Sequence, residues 1–369
     1  MEIGWFTFTD VPVGDPSAAA RRIPELIEEI ALADEVGLDI FGMGEHHHPG
    51  FGGPAPAVVL AAAAARTKRI RLTSAVTVLG ADDPVRVFEQ FTALDLVSGG
   101  RAEIMAGRGA GLDSFRLFGP DTADYDAAFE EKLKLLLRLR NPEPVTWSGR
   151  FRPPLHEELI TPRPIQDQLP VWLAVGGTPA SVIRAGELGL PLVLGTIGGN
   201  TRHFQPLVDL HRRALEHHHQ PQQPVAVTLH GFVADTSQRA GEIYYPADAV
   251  LFNTAGAARG MGGVTAADIA AKNFPGAMYA VGSPQQVIEQ LLRHHEAFGH
   301  QRTMLQLAVG DVGHRDVMRA IELLGTEVAP AVRAATRPQP PAAQPQAPFA
   351  LIWSADGAGV CTVDGECNP

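Results

Sequence analysis

A glycine-rich turn follows the apolar segment at 171–175, where the chain reads VGGTPAS at 175–181. Thr178 is a residue type that caps helix N-termini, and Ser181 would then occupy the third helical position. Gly176 and Gly177 leave the backbone bare, so that an anion could approach the unpaired N–H groups of the helix start. Both a phosphate site and an ordinary capped helix after a tight turn fit these residues.

A second glycine-rich segment, AGRGAG at 106–111, follows another apolar run and contains Arg108. The guanidinium group of arginine is a good bidentate partner for a phosphate. The segment has neither the terminal Gly-Lys-Ser/Thr of a Walker loop nor a strict dinucleotide fingerprint. Taken together with the turn at 175–181, it predicts a two-sided phosphate clamp on neighbouring strands.

Three consecutive histidines, His46, His47 and His48, follow Glu45. Consecutive side chains on extended or turning backbone point in different directions, whereas a zincin-type site places its histidines four apart on a helix, so the pattern does not favour a metal site. A histidine at the end of a strand can titrate near neutrality, which makes His46 a candidate general acid or base. For His47 and His48 a structural role fits equally well.

Apolar runs alternate with longer segments of helical period from Met1 to about residue 333, which indicates a parallel sheet covered by helices. Several runs are rich in Val, Ile and Leu without alternation, as strands buried on both faces are. Eight strands suit a closed (β/α)8 barrel, and a doubly wound sheet gives the same pattern. The predicted strands are Ile3–Phe8, Ile40–Met43, Ile70–Val78, Ala102–Ala106, Val171–Val175, Leu192–Leu194, Val225–Val233 and Met304–Val309.

Local signals mark two helices. One is predicted to begin near Pro24 and to stop at Gly37, because glycine commonly ends a helix. The other is predicted to begin with a capping box at Ser283 and to end at Gly299. These boundaries place helices between the strands, as a barrel requires.

Two regions break the alternation, a Gly- and Asp-rich loop at 107–128 and a long connection at 234–280. Long loops after barrel strands are where active sites are assembled. Tyr244 and Tyr245, in the second region, are therefore candidates for a mobile lid. The aromatic residues of the first strand, Trp5, Phe6 and Phe8, are candidates for pocket walls.

The composition disfavours several classes of protein. The 369 residues include 30 basic and 41 acidic side chains, a net charge of −11, which disfavours nucleic-acid binding. No apolar run approaches the roughly 20 residues that span a bilayer. The N-terminus reads as a strand and not as a signal peptide, so a cytoplasmic enzyme is expected.

We expect a domain over 1–335 and a Pro/Ala/Gln linker with a flexible tail over 336–369. The stretch RPQPPAAQPQAP at 337–348 is too rich in proline and glutamine to form a core. Both cysteines, Cys361 and Cys367, lie in the tail. A flexible appendage with two exposed thiols suits them better than a local disulfide or metal contact.

These segments together resemble the bacterial luciferase-like monooxygenase family, whose members are flavin-dependent TIM barrels. The resemblance covers nearly all of residues 1–335 in order, and it implies an α/β fold, a (β/α)8 TIM barrel with insertions, followed by a Pro-rich C-terminal tail. It is carried by EHH at 45–47, RIRLTSAVTVLGADDPVRVFEQ at 69–90, LDLVSGGR at 94–101, GRGAGLDSFRLFG at 107–119, PRPIQDQLPVWLAVGGTPASVIRAGELGLPL at 162–192, VGSPQQV at 281–287 and GTEVAP at 325–330.

The resemblance implies a binding role for the two glycine-rich segments. Arg108, Thr178 and Ser181 match residues that contact the phosphate of FMN, with Gly176 and Gly177 beside them. The clamp that the residues themselves suggest would accordingly bind a flavin.

The resemblance also implies which residues surround the flavin ring. Ala75 and Val76 match the position where the family commonly has a non-proline cis peptide beside the isoalloxazine. His46 matches the family's active-site histidine, which is held to assist proton transfer. Gly107 stands where bacterial luciferase has a cysteine near the flavin, and this departure weakens any inference to light emission.

The function that the resemblance implies is an FMN-dependent monooxygenase. Such an enzyme receives reduced FMN from a separate flavin reductase and uses dioxygen to oxygenate a small organic substrate. The helices at 57–66 and 84–97 match the family's dimer-forming region, so a homodimer is expected. Two alternatives are a deazaflavin-dependent dehydrogenase that transfers hydride and a flavin-binding protein without turnover. The EHH and GGTPAS sequences look closer to the FMN branch, and His46 beside the clamp disfavours a non-catalytic protein.

Overall fold

The computed structural model describes residues 1–15, 17–109, 113–119, 121–196, 198–257, 263–337, 360–361 and 367–368. Residues of the predicted glycine-rich loop at 110–112 and of the linker at 338–348 lie outside this description. By contacts the chain divides into two units, Met1–Thr336 and Arg337–Pro369. In the second unit two short antiparallel strands, Val360–Cys361 and Cys367–Asn368, place Cys361 opposite Cys367.

Eight parallel strands form a closed barrel. Each strand pairs with the next along the chain, and the last strand pairs with the first, so that the ring closes. The closed order confirms the predicted (β/α)8 TIM barrel and excludes a doubly wound sheet, which has two unpaired edges. The strands are β1 (Glu2–Thr7), β2 (Ile40–Met43), β3 (Arg71–Ser74), β4 (Ala102–Gly107), β5 (Val171–Val175), β6 (Leu192–Gly195), β7 (Val225–Val233) and β8 (Arg302–Ala308).

All eight predicted strands overlap observed ones, and the third differs most from its prediction. The predicted run Ile70–Val78 is divided into β3 and a two-residue strand, Thr77–Val78, by a cis peptide bond between Ala75 and Val76. Both pieces pair with β4. An added antiparallel hairpin, Val145–Trp147 with Leu155–Glu158, lies between β4 and β5 in the sequence.

Helices surround the barrel and fill the loops at its carboxyl end. Helix α1 begins well before Pro24, which lies inside it, and Gly37 follows its end with a positive φ of 82°. Ser283 precedes α10 without a side-chain capping bond, so the predicted capping box is absent, while Gly299 ends that helix as predicted. The helices are α1 (Ala18–Glu35), α2 (Pro56–Ala64), α3 (Pro84–Ser98), α4 (Asp113–Phe118), α5 (Tyr125–Leu139), α6 (Pro179–Glu187), α7 (Thr201–His217), α8 (Ser237–Ala257), α9 (Ala266–Ala270), α10 (Pro284–Phe298), α11 (His314–Leu323) and α12 (Ala329–Ala335).

The described part of the region at 234–280 is largely helical and packed. It contains α8 and α9 and leads into a short strand, Tyr279–Gly282, which pairs with β7. Tyr244 is fully buried, and its hydroxyl donates a hydrogen bond of 2.7 Å to the carbonyl of Gln306 in β8. The prediction of a mobile lid at Tyr244 and Tyr245 is therefore wrong, because the apolar face of α8 packs into a core of its own.

The interior of the barrel is apolar in its middle and ionic at its amino-terminal end. Glu103 and Arg302, each 3% exposed, are joined by a hydrogen bond of 2.7 Å between Oε2 and Nη1. Arg71 pairs with Glu103, and Arg302 also donates to Glu2 (2.6 Å) and lies over the ring of Trp172. We call Glu2, Arg71, Glu103 and Arg302 the floor network.

Among the described residues, no helix has the length and apolar character needed to cross a membrane.

Candidate functional site

The carboxyl ends of the barrel strands surround a cleft of about 310 Å³. Its walls are mainly apolar, and the polar groups come from several different strands, as in other barrel enzymes. The residues that line the cleft include Phe6, Phe8, Glu45, His46, Ala75, Val76, Met105, Gly107, Arg108, Gly176, Thr178, Val193, Thr196, Thr228, His230 and Gln306.

Arg108 and Ser181 converge at one side of this cleft. A guanidinium nitrogen of Arg108 donates to the hydroxyl of Ser181 at 3.3 Å, although the two residues are far apart in the sequence. The guanidinium also pairs with Asp126, which is 68% exposed, and lies beside the ring of Tyr125. The Tyr125 hydroxyl donates to the carbonyl of Arg108 at 2.8 Å and so holds the loop in place. The two predicted halves of the clamp are adjacent.

The start of α6 completes this side of the cleft. Thr178 is the N-cap residue and Ser181 the third residue of the helix, as predicted, but the Thr178 side chain makes no capping bond and stays exposed. Gly177 has a φ of +113°, which favours glycine, and a Cβ added at Gly176 would meet no atom within 4 Å. Open space therefore lies before the helix N-terminus, where the partial positive charge and unpaired N–H groups favour an anion.

The Ala75–Val76 segment lies in the cleft wall and carries the cis peptide bond that the resemblance implied. Glu45 supports the chain just beyond it, because its Oε2 accepts a hydrogen bond from the backbone N–H of Val78 at 2.9 Å. The other oxygen of Glu45 lies 3.0 Å from Nε2 of His47. Burial raises the pKa of Glu45 above its ordinary value.

Gly107 is in close contact with the same segment. A Cβ added at Gly107 would lie only 2.7 Å from the side chain of Val76. A cysteine at this position would therefore collide with Val76 unless one of the two moved. Packing against Val76 is a physical reason for glycine at this position.

His46 lies in the cleft between two aromatic rings. Its ring centroid is 4.5 Å from that of Phe8 and 4.4 Å from that of Phe51. Its Nδ1 is buried and has no hydrogen-bond partner among the described residues. Burial, assisted by the neighbouring histidines, lowers the pKa of His46 to about 4, so the imidazole is neutral at pH 7. This differs from the expectation that His46 titrates near neutrality, because the two aromatic rings exclude water.

The other two histidines of the triplet have different partners. His47 contacts Glu45, and Nδ1 of His48 accepts a hydrogen bond from the backbone N–H of Gly50 at 3.2 Å. Within the described ranges no three or more His, Cys, Asp or Glu side chains gather as they would around a metal ion.

Two of the three aromatic residues predicted to form pocket walls do so, and two further cleft residues were not predicted from the sequence. Phe6 and Phe8 line the cleft, whereas Trp5 points into the core and is fully buried. His230 and Gln306, on β7 and β8, also face the cleft and are buried. A single histidine within the apolar run 225–233 was a signal that the sequence offered, because residues 226, 228 and 230 share one face of the strand.

Known proteins resemble the chain in sequence and in structure. Residues 1–301 match the family model described as luciferase-like monooxygenase. The 4-hydroxyprotoasukamycin monooxygenase of Streptomyces nodosus subsp. asukaensis is 33% identical over 189 residues, 50% of this chain and 50% of that protein.

Two solved structures show the same fold. One is the oxygenating constituent of 3,6-diketocamphane monooxygenase from Pseudomonas putida in complex with FMN, with a TM-score of 0.73 and 21% identity over 89% of this chain and 98% of that chain. The other is an F420-dependent secondary alcohol dehydrogenase in complex with an F420–acetone adduct, with a TM-score of 0.71 and 19% identity over 90% of this chain and 99% of that chain. Because the family model covers most of the chain, this protein belongs to the luciferase-like monooxygenase family.

Proposed function

We propose that the protein is an FMN-dependent monooxygenase, which uses reduced FMN from a separate flavin reductase and dioxygen to oxygenate a small organic substrate. The observation that carries the proposal is the hydrogen bond between Arg108 and Ser181 at the start of α6, because Arg108 lines the same cleft as Ala75, Val76 and His46. The relative solved with FMN and the monooxygenase that is 33% identical support the choice of cofactor and reaction.

The residues present fit a phosphorylated flavin. Arg108, Ser181 and Thr178 would hold the phosphate, with Gly176 and Gly177 leaving room for it at the helix start. Ala75 and Val76 would contact the ring. Two buried nitrogens, Nδ1 of His46 and Nε2 of Gln306, have no partner among the described residues and are available to a ligand in the cleft.

When bound, reduced FMN would supply the electrons and activate dioxygen. The chain would supply orientation, a dry cleft and proton control. Phe6, Phe8 and Met105 exclude water from the cleft, which strengthens electrostatic interactions inside it. His46, neutral at pH 7, would exchange a hydrogen bond or a proton at its imidazole nitrogens with a reacting oxygen.

A deazaflavin-dependent dehydrogenase is the second candidate, because a related fold holds an F420 adduct. The same clamp would serve either cofactor, since both carry a phosphate. The glycine-rich sequence GGTPAS at 176–181 and the EHH at 45–47 are the features that favour FMN.

We also propose a homodimer formed through α2 and α3. These helices expose apolar side chains to solvent, Val58 by 70% and Val97 by 57%, and they border a groove of about 600 Å³. Apolar surface of this kind on a soluble chain marks an interface. Sedimentation velocity of the whole chain measures the oligomeric state directly.

The deciding experiment is an anaerobic titration with reduced FMN and with reduced deazaflavin, followed by the admission of oxygen. We expect tighter binding of FMN and, after oxygen is admitted, consumption of dioxygen by the complex. Tighter binding of the deazaflavin without oxygen consumption would identify a dehydrogenase. If neither cofactor binds, the proposed function is wrong.

A further inference from the structure

A buried polar chain lies behind the part of the cleft formed by β7. Nδ1 of His230 is 2.8 Å from Oδ1 of Asp248, and Oδ2 of Asp248 accepts a hydrogen bond of 2.8 Å from the hydroxyl of Tyr279. Asp248 is fully buried and His230 is 3% exposed. None of these three residues belongs to the proposed phosphate clamp.

The partners of His230 determine which of its nitrogens carries the proton. An ionised carboxylate only accepts hydrogen bonds, so Asp248 requires an N–H at Nδ1 of His230. Nε2 then keeps its lone pair, on a residue that lines the cleft. The ring is held between Phe252 and Tyr279, with centroid distances of 5.5 and 5.2 Å, and both pairs are stacked. The imidazole is thus fixed in orientation and in tautomer.

His230 lies across the barrel from the cis peptide bond. In a closed ring of eight strands, β7 is four strands away from β3 in either direction, so the two strands are opposite each other. The Ala75–Val76 segment directly follows β3. A flat ligand lying against that segment would turn its other face toward β7 and His230.

Gln306 is the neighbour of His230 on β8, and the two residues are paired in register. Its side chain is 1% exposed, lines the cleft and has an Nε2 without a partner among the described residues. The other polar groups of this wall are occupied, since the hydroxyls of Thr196 and Thr228 both donate to backbone carbonyls. Among the residues that the structure describes, Nε2 of His230 and Nε2 of Gln306 have no hydrogen-bond partner, and the two residues are neighbours in register.

We infer that His230 is a catalytic proton acceptor for a hydroxyl-bearing group in the cleft, with Asp248 as its positioning residue. This inference rests on the proposed function. It adds that the group bound in the cleft carries a hydroxyl. The O–H bond breaks, an N–H bond forms at Nε2 of His230, and the electron pair stays on the oxygen, which accepts a hydrogen bond from Gln306. Asp248 stays ionised and balances the charge of the imidazolium. No electron is transferred in this step.

The first test measures the tautomer of His230 by NMR of protein labelled with ¹⁵N in the histidine rings, with His230→Gln identifying the signals. We expect protonation at Nδ1 in the wild type. In Asp248→Asn the amide can donate to Nδ1, so the proton is expected to move to Nε2. The signals of His211, buried outside the cleft against the carbonyl of Leu190, are the internal control and should not move. A proton at Nε2 in the wild type would overturn the inference.

The second test uses 4-nitrophenol, a small aromatic acid whose phenolate absorbs differently from the phenol, added to protein saturated with oxidised FMN. We expect the wild type to increase the bound phenolate fraction and His230→Gln to lose this increase. Tyr279→Phe removes one hydrogen bond of Asp248 without removing its charge, and we expect it to keep most of the increase. Equal phenolate in the wild type and His230→Gln would contradict a proton-accepting role.

FMN affinity separates this inference from the proposed function. We expect His230→Gln to bind FMN within about twofold of the wild type, because His230 lies away from the clamp, and to lose about 10²-fold or more in kcat with little change in KM. Undiminished kcat in that variant would overturn the inference and leave the function intact. Absence of FMN binding in the wild type would instead refute the function, and the NMR result would still decide the tautomer.

Discussion

The buried polar groups at the two ends of the barrel interior differ in whether they have partners. At the amino-terminal end, the floor network pairs each charge with an opposite one, and Glu103 lies between Arg71 and Arg302. At the carboxyl end, His46 and Gln306 keep buried nitrogens without partners among the described residues. Leaving a buried polar atom unpaired costs roughly 1–3 kcal/mol.

This difference indicates that the amino-terminal end stabilises the fold and that the carboxyl end binds a ligand. Burial alone would raise the pKa of Glu103, but the charges and hydrogen bonds of Arg302 and Arg71 outweigh it, and the pKa lies below its ordinary value. At the mouth, burial lowers the pKa of His46, and the charge of Asp113 opposes this only in part. Unpaired groups in a cleft are an expected place for a ligand, whereas paired groups at the floor need none.

The largest effect is expected from Arg302→Leu. This change leaves the buried carboxylate of Glu103 with one partner fewer, and breaking a buried pair costs about 3–5 kcal/mol of unfolding free energy. Urea unfolding at pH 7 measures it. FMN affinity of the folded variant should not change, because the floor lies away from the cleft.

The matched control is Arg319→Leu, in which the lost ion pairs with Asp235 and Glu322 lie on the surface. We expect no measurable loss of stability from it. An equal loss in the two variants would show that burial of the floor network is energetically unimportant.

His46→Ala should lose activity without losing the cofactor. We expect oxygenation of the substrate to fall about 10²-fold, a size typical of a lost acid–base group, while the Kd for FMN changes by less than about threefold. Product yield per turnover and fluorescence titration of FMN measure the two quantities. His48→Ala is the control, since that ring accepts a hydrogen bond from the backbone of Gly50. Wild-type product yield from His46→Ala would remove this residue from the mechanism.

Arg108→Ala should weaken FMN binding and leave the fold stable. A hydrogen bond to a charged group contributes about 1.5–3 kcal/mol, so the Kd is expected to rise by roughly 10- to 100-fold. Equilibrium titration measures it. Asp126→Asn should act in the opposite direction, because Asp126 competes with a phosphate for the same guanidinium group.

Arg116→Ala is the control for the clamp, because Arg116 is 73% exposed and pairs with Asp113 in the same short helix. Its FMN affinity should equal that of the wild type. If Arg108→Ala also binds FMN normally, Arg108 does not contribute to a phosphate site.

The effect that is smallest per pH unit concerns acid stability. Burial lowers the pKa of His294 from 6.5 to about 4. The unfolded chain therefore binds a proton that the folded chain does not, and stability is full above pH 6.5 and decreases as the pH falls from 6.5 toward 4. The decrease is about 1.4 kcal/mol per pH unit for one histidine. Urea unfolding at several pH values should show a smaller slope in His294→Gln.

In the same pH series, FMN should affect the titration of His46 and not that of His294. The ligand would cover His46 in the cleft, whereas His294 bonds to the carbonyl of Ala277 outside it. We expect bound FMN to change the titration of His46, measured by ring NMR, and not that of His294. A change of equal size at both residues would contradict the placement of the ligand at the mouth.

Much of the fold could be predicted from the sequence. The eight apolar runs predicted the eight strands, because strands buried on both faces by helices consist of continuous Val, Ile and Leu. The helix start at Thr178 was predictable from local chemistry alone, since Thr followed by Pro favours a helix N-terminus, although the Thr178 side chain makes no capping bond. The region at 234–280 was not, because its glycines and prolines read as a loop while the burial of Tyr244 depends on distant partners.

The sequence by itself determined the order of the strands, the two glycine-rich turns and the residue types at the mouth. Only the tertiary structure decided which of these residues meet. Arg108 reaches Ser181 beyond a neighbouring strand, His230 reaches Asp248 on the helix that follows its own strand, and Glu103 reaches Arg302 across the barrel. The physical reason is that local patterns depend on neighbours within a few residues, whereas folding brings together residues that are far apart in the chain. The pKa of a group such as His46 depends in turn on the water that those contacts exclude.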